Sequence, residues 1–272
     1  MRSMTSRRWF TGLLLSGIAL MASGGQPGAA QNTALDDEQQ VGQEVFNELK
    51  AKGEIVASSP LYDALVPIAG AVARTAQPRY KHPFKFYLVH EQQPNAFSVP
   101  GGNVYVTDSL LFFVKNTEQL AGTLCHEVSH TIHHDSMNLI EKERKIERRE
   151  IGAAVLLGPT RAHVLAIALI GKLRSLGYSR DAESAADLTG SDVCAATGYN
   201  PWGLVWLFQD FDAADTAQVP QLLSDHPDNQ HRVATLKQHF RENPSVFGSF
   251  SADATSAKPF TVPKNATEVF LR

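Results

Sequence analysis

Cysteine is nearly absent from this 272-residue chain, which carries only Cys125 and Cys194. Two thiols cannot build the disulfide framework that replaces a core in small exported proteins. Both fall in stretches that read as helix, so buried free thiols are the expectation and a single bridge the alternative. Long apolar runs are lacking too: none reaches the ~20 residues that a membrane-spanning helix needs. Charged residues make up 19% of the chain and nearly cancel, for a net charge of -3, which excludes the basic face of a nucleic-acid-binding protein. No internal repeat is present, so a solenoid is excluded. What remains, with 43% hydrophobic residues, is the composition of an ordinary globular chain able to bury one sizeable core.

The first thirty residues stand apart. Arg2, Arg7 and Arg8 precede an apolar run from Leu13 to Ala22 and small residues ending Gly28-Ala29-Ala30. That is the layout of a secretory signal cleaved after Ala30, with no cysteine following to accept a lipid. Residues 6–10, SRRWF, also match a twin-arginine export motif, the alternative being an ordinary basic segment on the Sec route. The three arginines are the only charges in the segment, so its removal takes the formal charge from -3 to -6. An exported protein of the periplasm or cell envelope follows. Residues 31–247 then form the working domain, and 248–272, rich in Ser, Ala and Pro, an extended C-terminal tail.

Within the domain, Val41, Val45, Phe46 and Leu49 recur at helical spacing behind an acidic start, which predicts an amphipathic helix over 36–52. SSPLYDALVPIAGAVARTA predicts a second, with Ser58 or Ser59 as cap and Pro60 in its first turn. FKFYLVHE (84–91) and NVYVTDSLLFF (103–113) begin as strands, and NAFSVPGG between them carries a Pro-Gly-Gly turn. A helix follows from about Thr117 to His134. EKERKIERREI (141–151) is charged nearly all round and reads as a solvated helix or a connector. Two short apolar runs within 151–171 suit packed helices, the alternative being a flap that covers substrate or touches a membrane surface. SRDAESAADLTGSDVCAATG predicts a helix ending near Gly198, and PWGLVWLFQDF another from Pro201.

The helix containing TLCHEVSHTIHHD carries the chemistry. Four residues advance about 400°, so His126 and His130 lie one turn apart on nearly the same face and aim two imidazoles at one spot. Zinc takes histidine nitrogen in a tetrahedral shell. Glu127, about 100° round from His126, is placed to act as a base on a water there. His-Glu-x-x-His on a helix is the zincin signature, and it arises by chance roughly 0.02 times in a chain of this composition. His133 and His134 have no such partner and suit capping or surface roles. A catalytic zinc keeps three protein ligands. The metzincin extension fails, since positions 133 and 136 hold His133 and Ser136 where Gly and His are required. SRDAESAAD on a later helix supplies Glu183 as third ligand, with Asp187 one turn on to accept a hydrogen bond from a ligand histidine.

Four blocks, NAFSVPGGNVYVTDSLL, HEVSH, SRDAESAAD and HPDNQHRVATL, in this order over roughly residues 36–240, resemble the HtpX/Oma-type and CAAX-prenyl-protease-type zinc metallopeptidases, a branch of the gluzincins. The resemblance implies an α+β, mostly helical, zincin-like domain with a small sheet beside the active-site helix, one Zn2+ and endopeptidase activity. The multi-spanning segments of some members and any tetratricopeptide extension are lacking, as in the compact, exported bacterial members, whose work is quality control of unfolded or misfolded envelope proteins. Asn95, Ala96 and Phe97 resemble the strand that presents main chain to the substrate, so that strand addition would hold a peptide; a plain hairpin turn is compatible with this. His226 and Arg232 match the family's C-terminal block. His226 is expected to stabilise the oxyanion or to close the zinc shell, Arg232 to pair with Asp187. Two rivals stand beside the peptidase: a zinc-containing, chaperone-like binding module whose proteolysis is latent, and a metal hydrolase of small molecules.

Overall fold

The computed structural model describes residues 36–151, 170–171, 178–213 and 229–266. Residues 1–35, His226 and all of 151–171 except Ile151, Ile170 and Gly171 lie outside them, and with them the signal segment, the His226 assignment and the proposed flap.

The chain opens with α1 (Asp37–Ala51), whose first turn is capped by the Asp36 carboxylate accepting from Gln39 N–H. Its apolar stripe buries Val41, Val45 and Leu49. α2 (Leu61–Ala76) follows, with Ser59 Oγ accepting from Leu61 N–H and Pro67 on an exposed position inside it. Three strands come next: β1 (Lys85–Val89), β2 (Ala96–Val99) and β3 (Asn103–Thr107), in the order β1-β3-β2. β1 runs parallel to β3, and β2 returns antiparallel to it across Pro100-Gly101-Gly102. Both glycines sit at φ 83, a left-handed conformation that side chains disfavour.

The sheet is covered on both faces, and alternation along the strands decides which residue goes where. Leu88, Ala96, Val104 and Val106 join the main core with α2 and later helices, whereas Val89, Phe97, Val99 and Tyr105 pack under α1. After β3 the strand reading of 103–113 stops at Thr107. The Thr107 hydroxyl accepts from Leu110 N–H and starts α3 (Asp108–Phe113), so the second half of that apolar run is helical.

α4 (Thr117–Ile132) begins at a capping box, with Asn116 Oδ1 accepting from Gln119 N–H and Gln119 Oε1 from Asn116 N–H. It is buried from Gln119 to Thr131 and lies between the sheet and two later helices. It ends two residues before the expected His134, which adopts φ 57 and turns the chain into α5 (Asp135–Ile151). α6 (Arg180–Thr197) is capped by Ser179 and stopped by Gly198 at φ 87. A Cβ on Gly190 would lie 3.0 Å from the His126 nitrogen, so the main chains of α4 and α6 touch beside the His-Glu-x-x-His turn. α7 (Trp202–Ala213), α8 (Asn229–Glu242) and the short α9 (Pro244–Phe247) complete the helices described. Beyond α9 the chain crosses the start of α4: Thr117 N–H donates to Lys258 O and Phe260 N–H to Lys115 O. Cys125 and Cys194 are free and buried.

Candidate metal centre

Each side chain of the centre comes from an element fixed by packing elsewhere. α4 presents His126 and His130 from its last two turns, with Nε2 atoms 3.0 Å apart. α6 brings Glu183 to both rings, Oε2 at 3.4 Å from His126 Nε2 and Oε1 at 3.7 Å from His130 Nε2. The three residues are buried, and their nearest donor atoms lie within 4.8 Å of one another. A tetrahedral ion with bonds of ~2.0–2.2 Å spaces its donors ~3.3 Å apart, so two imidazoles and a carboxylate at these separations fit a small divalent metal.

The far side of each ring supports the same reading. His126 Nδ1 stands 3.0 Å from Asp187 Oδ1, and His130 Nδ1 stands 2.8 Å from Asp135 Oδ2. A carboxylate on Nδ1 holds the proton there and leaves the lone pair on Nε2, the nitrogen turned into the centre. Asp187 is clamped by Arg232 through two parallel bonds, Nε to Oδ2 at 2.8 Å and Nη2 to Oδ1 at 2.6 Å. Nη2 also stands 3.3 Å from Glu183 Oε2, and the guanidinium lies 4.2 Å over the Phe208 ring. These neighbours set the charge states. Burial pushes the Asp187 carboxyl up, but the Arg232 guanidinium outweighs it and holds the group below its ordinary range. Burial lowers the His126 ring, yet Asp187 and then Glu183 more than offset this and raise it to about 9.

Glu127 is fully buried on α4, beside this group but outside it. His133 caps α4 with its ring 3.0 Å from Thr189 Oγ1, and His134 reaches Glu38 Oε1 at 2.8 Å; neither joins the metal group. Asn95, Ala96 and Phe97 are buried at the start of β2, which packs along α4. The Phe97 ring stacks on Tyr105, 5.1 Å between centroids, so that side chain faces the core under α1 and is turned away from a ligand.

Three neighbours escaped the sequence reading. Asp135 was hidden because a helix continued through His134 would carry position 135 about 140° away from His130; the break at His134 brings it back. Tyr178 stacks on His130, 4.1 Å between centroids, and its hydroxyl meets Ser136 Oγ at 2.6 Å. No spacing in the sequence points to either.

Two histidines from one helix turn and a glutamate from a second helix form a group that could hold a metal ion, as a metallopeptidase requires. More specifically, the chain belongs to peptidase family M48, whose profile matches residues 65–239, more than half of its length. Members of that family depend on a metal. The beta-barrel assembly-enhancing protease of Escherichia coli is 24% identical over 244 residues, 86% of this chain and 50% of the relative. The putative beta-barrel assembly-enhancing protease of Vibrio cholerae is 20% identical over 227 residues, 80% of this chain and 47% of the relative. Mitochondrial metalloendopeptidase OMA1 of Schizosaccharomyces pombe is 27% identical over 164 residues, 58% of this chain and 47% of the relative. The chain thus spans about half the length of these curated relatives.

Proposed function

We propose that this chain is a zinc-dependent endopeptidase of the cell envelope that cuts unfolded or misassembled polypeptides. The observation that carries the reading is the pair of carboxylate-backed imidazoles converging with Glu183 beside the buried Glu127. His126, His130 and Glu183 would hold the metal, and two nitrogens with one carboxylate suit zinc. When bound, zinc supplies a Lewis acid that polarises the scissile carbonyl and makes water more acidic. Asp187 and Asp135 keep the ring protons on Nδ1, Arg232 keeps Asp187 ionised, and Glu127 takes the proton of the attacking water and hands it to the leaving amine. Export rests on the signal-like residues 1–30. The name of the bacterial relatives ties them to β-barrel assembly, so unfolded outer-membrane barrel precursors are the substrates to try first.

Glu127→Gln tests the assignment. The carboxylate is given to proton transfer and not to the metal, so the variant should keep one zinc and its fold while cleavage of casein drops by at least about 10²-fold. Metal analysis and a cleavage assay on the same preparation decide: undiminished cutting rejects the mechanism, and lost zinc rejects the ligand set. Binding of unfolded chains without cleavage by the parent protein would favour the chaperone-like module.

A further inference from the structure

The edge of the sheet beside the metal centre is occupied by the protein's own hydroxyls. Among the described residues β2 is an outer strand. Its register pairs Ala96 with Val106 and Ser98 with Val104, and Thr107 N–H donates to the Asn95 carbonyl at 2.9 Å. In an antiparallel ladder, successive residues alternately direct N–H and C=O toward and away from the partner strand. Asn95, Phe97 and Val99 therefore bond toward β3, while Ala96 and Ser98 turn their main-chain groups outward. An extended peptide adding to this edge would donate an N–H to the Ser98 carbonyl.

That carbonyl already accepts from Ser136 Oγ at 3.0 Å, and the Tyr178 hydroxyl lies 2.6 Å from Ser136 Oγ and 3.5 Å from the carbonyl itself. Ser136 belongs to the first turn of α5 and Tyr178 precedes the cap of α6, so the contact ties three elements of the site together. Ser98, Ser136 and Tyr178 are 1%, 5% and 9% exposed. No peptide main chain reaches the Ser98 oxygen while they stay in place. The Tyr178 ring also covers one face of His130 at an interplanar angle of 26°.

We infer that the Ser136–Tyr178 hydroxyl pair is a latch on the β2 edge: it occupies the acceptor that an extended substrate needs, and substrate binds by displacing it. The inference rests on the endopeptidase reading above. It gives that reading a selectivity, because what opens the latch is a free run of main-chain donors. Unfolded chains offer such donors, and folded ones have already paired theirs.

The test uses a fluorescent unstructured peptide and the full chain loaded with zinc. Tyr178→Phe deletes the hydroxyl and leaves the ring on His130; Ser136→Ala deletes the other hydroxyl and leaves the ring untouched, so a folding failure in one variant leaves the other to decide. Peptide affinity is read by anisotropy in a Glu127→Gln background, where nothing is cut, and KM and kcat with Glu127 intact. Each variant should bind the peptide about 5-fold more tightly, the worth of one net hydrogen bond, with KM falling in step and the double variant tighter still. Parental or weakened affinity in both variants overturns the latch. So does a fall in kcat of about 10²-fold at parental affinity in Tyr178→Phe, which would mean that the hydroxyl serves the reacting carbonyl. A zinc-loaded parent that cuts no peptide rejects the endopeptidase reading alone, since the binding arm still decides the latch.

Discussion

His126 and His130 sit one turn apart on α4, the first braced from inside the core and the second from its rim. Asp187, behind His126, is fully buried and locked by an Arg232 that is itself 2% exposed. Asp135, behind His130, has a side chain 12% exposed, and its ionisable partners among the described residues are the rings of His130 at 2.8 Å and His133 at 4.0 Å. The two carboxyls respond in opposite directions. Arg232 holds Asp187 below its ordinary range despite complete burial, whereas burial without such a cation raises Asp135 to about 6. A carboxylate can brace a ligand from deep inside the fold only if a cation travels with it. Near the rim it can do without one, at the cost of being a weaker anion. The core side is therefore the charge-compensated half of the centre. Tyr178 and the Ser98 carbonyl lie on the side whose carboxylate has no such cation.

Removing the cation should break the comparison most visibly. Arg232→Ala leaves Asp187 buried and uncompensated, a defect worth about 3–5 kcal/mol. In chelator-treated protein the urea midpoint should fall accordingly, and a loss below about 1 kcal/mol would mean that water or another group already shares the charge. Metal affinity sharpens the contrast. Asp187→Ala should weaken zinc binding by about 10- to 100-fold, and Asp135→Ala should sit at or below the low end of that range. Competition with a chromogenic chelator measures both, and equal losses would erase the distinction between core and rim.

The smallest effect carries the most informative sign. A carboxyl whose folded value lies above its unfolded one binds more protons when folded, so it costs the metal-free protein stability above about pH 6, and the cost disappears as pH falls below about 4. Asp135→Asn should therefore stabilise the metal-free chain at pH 7.5, on the order of 1 kcal/mol, and do nothing at pH 4. Asp187 behaves conversely: its contribution is present above its unfolded value and lost as pH falls through the lowered folded one, so Asp187→Asn should destabilise at pH 7.5. Thermal melts at the two pH values read both signs.

Much of this half-and-half character is illegible in a linear reading, for a local reason. The aim of His126 and His130 follows from residues four apart on one helix, and the end of α6 from a glycine suited to left-handed backbone; both are properties of a few neighbouring residues. Asp135 depends on the chain breaking at His134, whose turn is held by Glu38, 96 residues earlier. β2 is four residues long, too short for alternation to stand out, so by pattern alone NAFSVPGG reads as a turn and its strand is legible only through the resemblance to a family. Arg232 reads as a partner of Asp187 only through the resemblance to a family; charge and spacing alone do not join residues 45 apart.

The turn at His134 also bears on where the folding unit begins. α1 lies wholly ahead of residues 65–239, the part that the family profile matches. Its Glu38 nonetheless bonds His134 and the Tyr80 hydroxyl, its Gly42 carbonyl accepts from Asn103 Nδ2, and Val41, Val45 and Leu49 roof Val99 and Tyr105. A fragment cut to the boundaries of the profile match would expose a strip of apolar sheet and unfasten the corner that delivers Asp135 to His130. In solution such a fragment would present a sticky, unpaired surface. The boundaries of the profile match are narrower than the unit that has to fold.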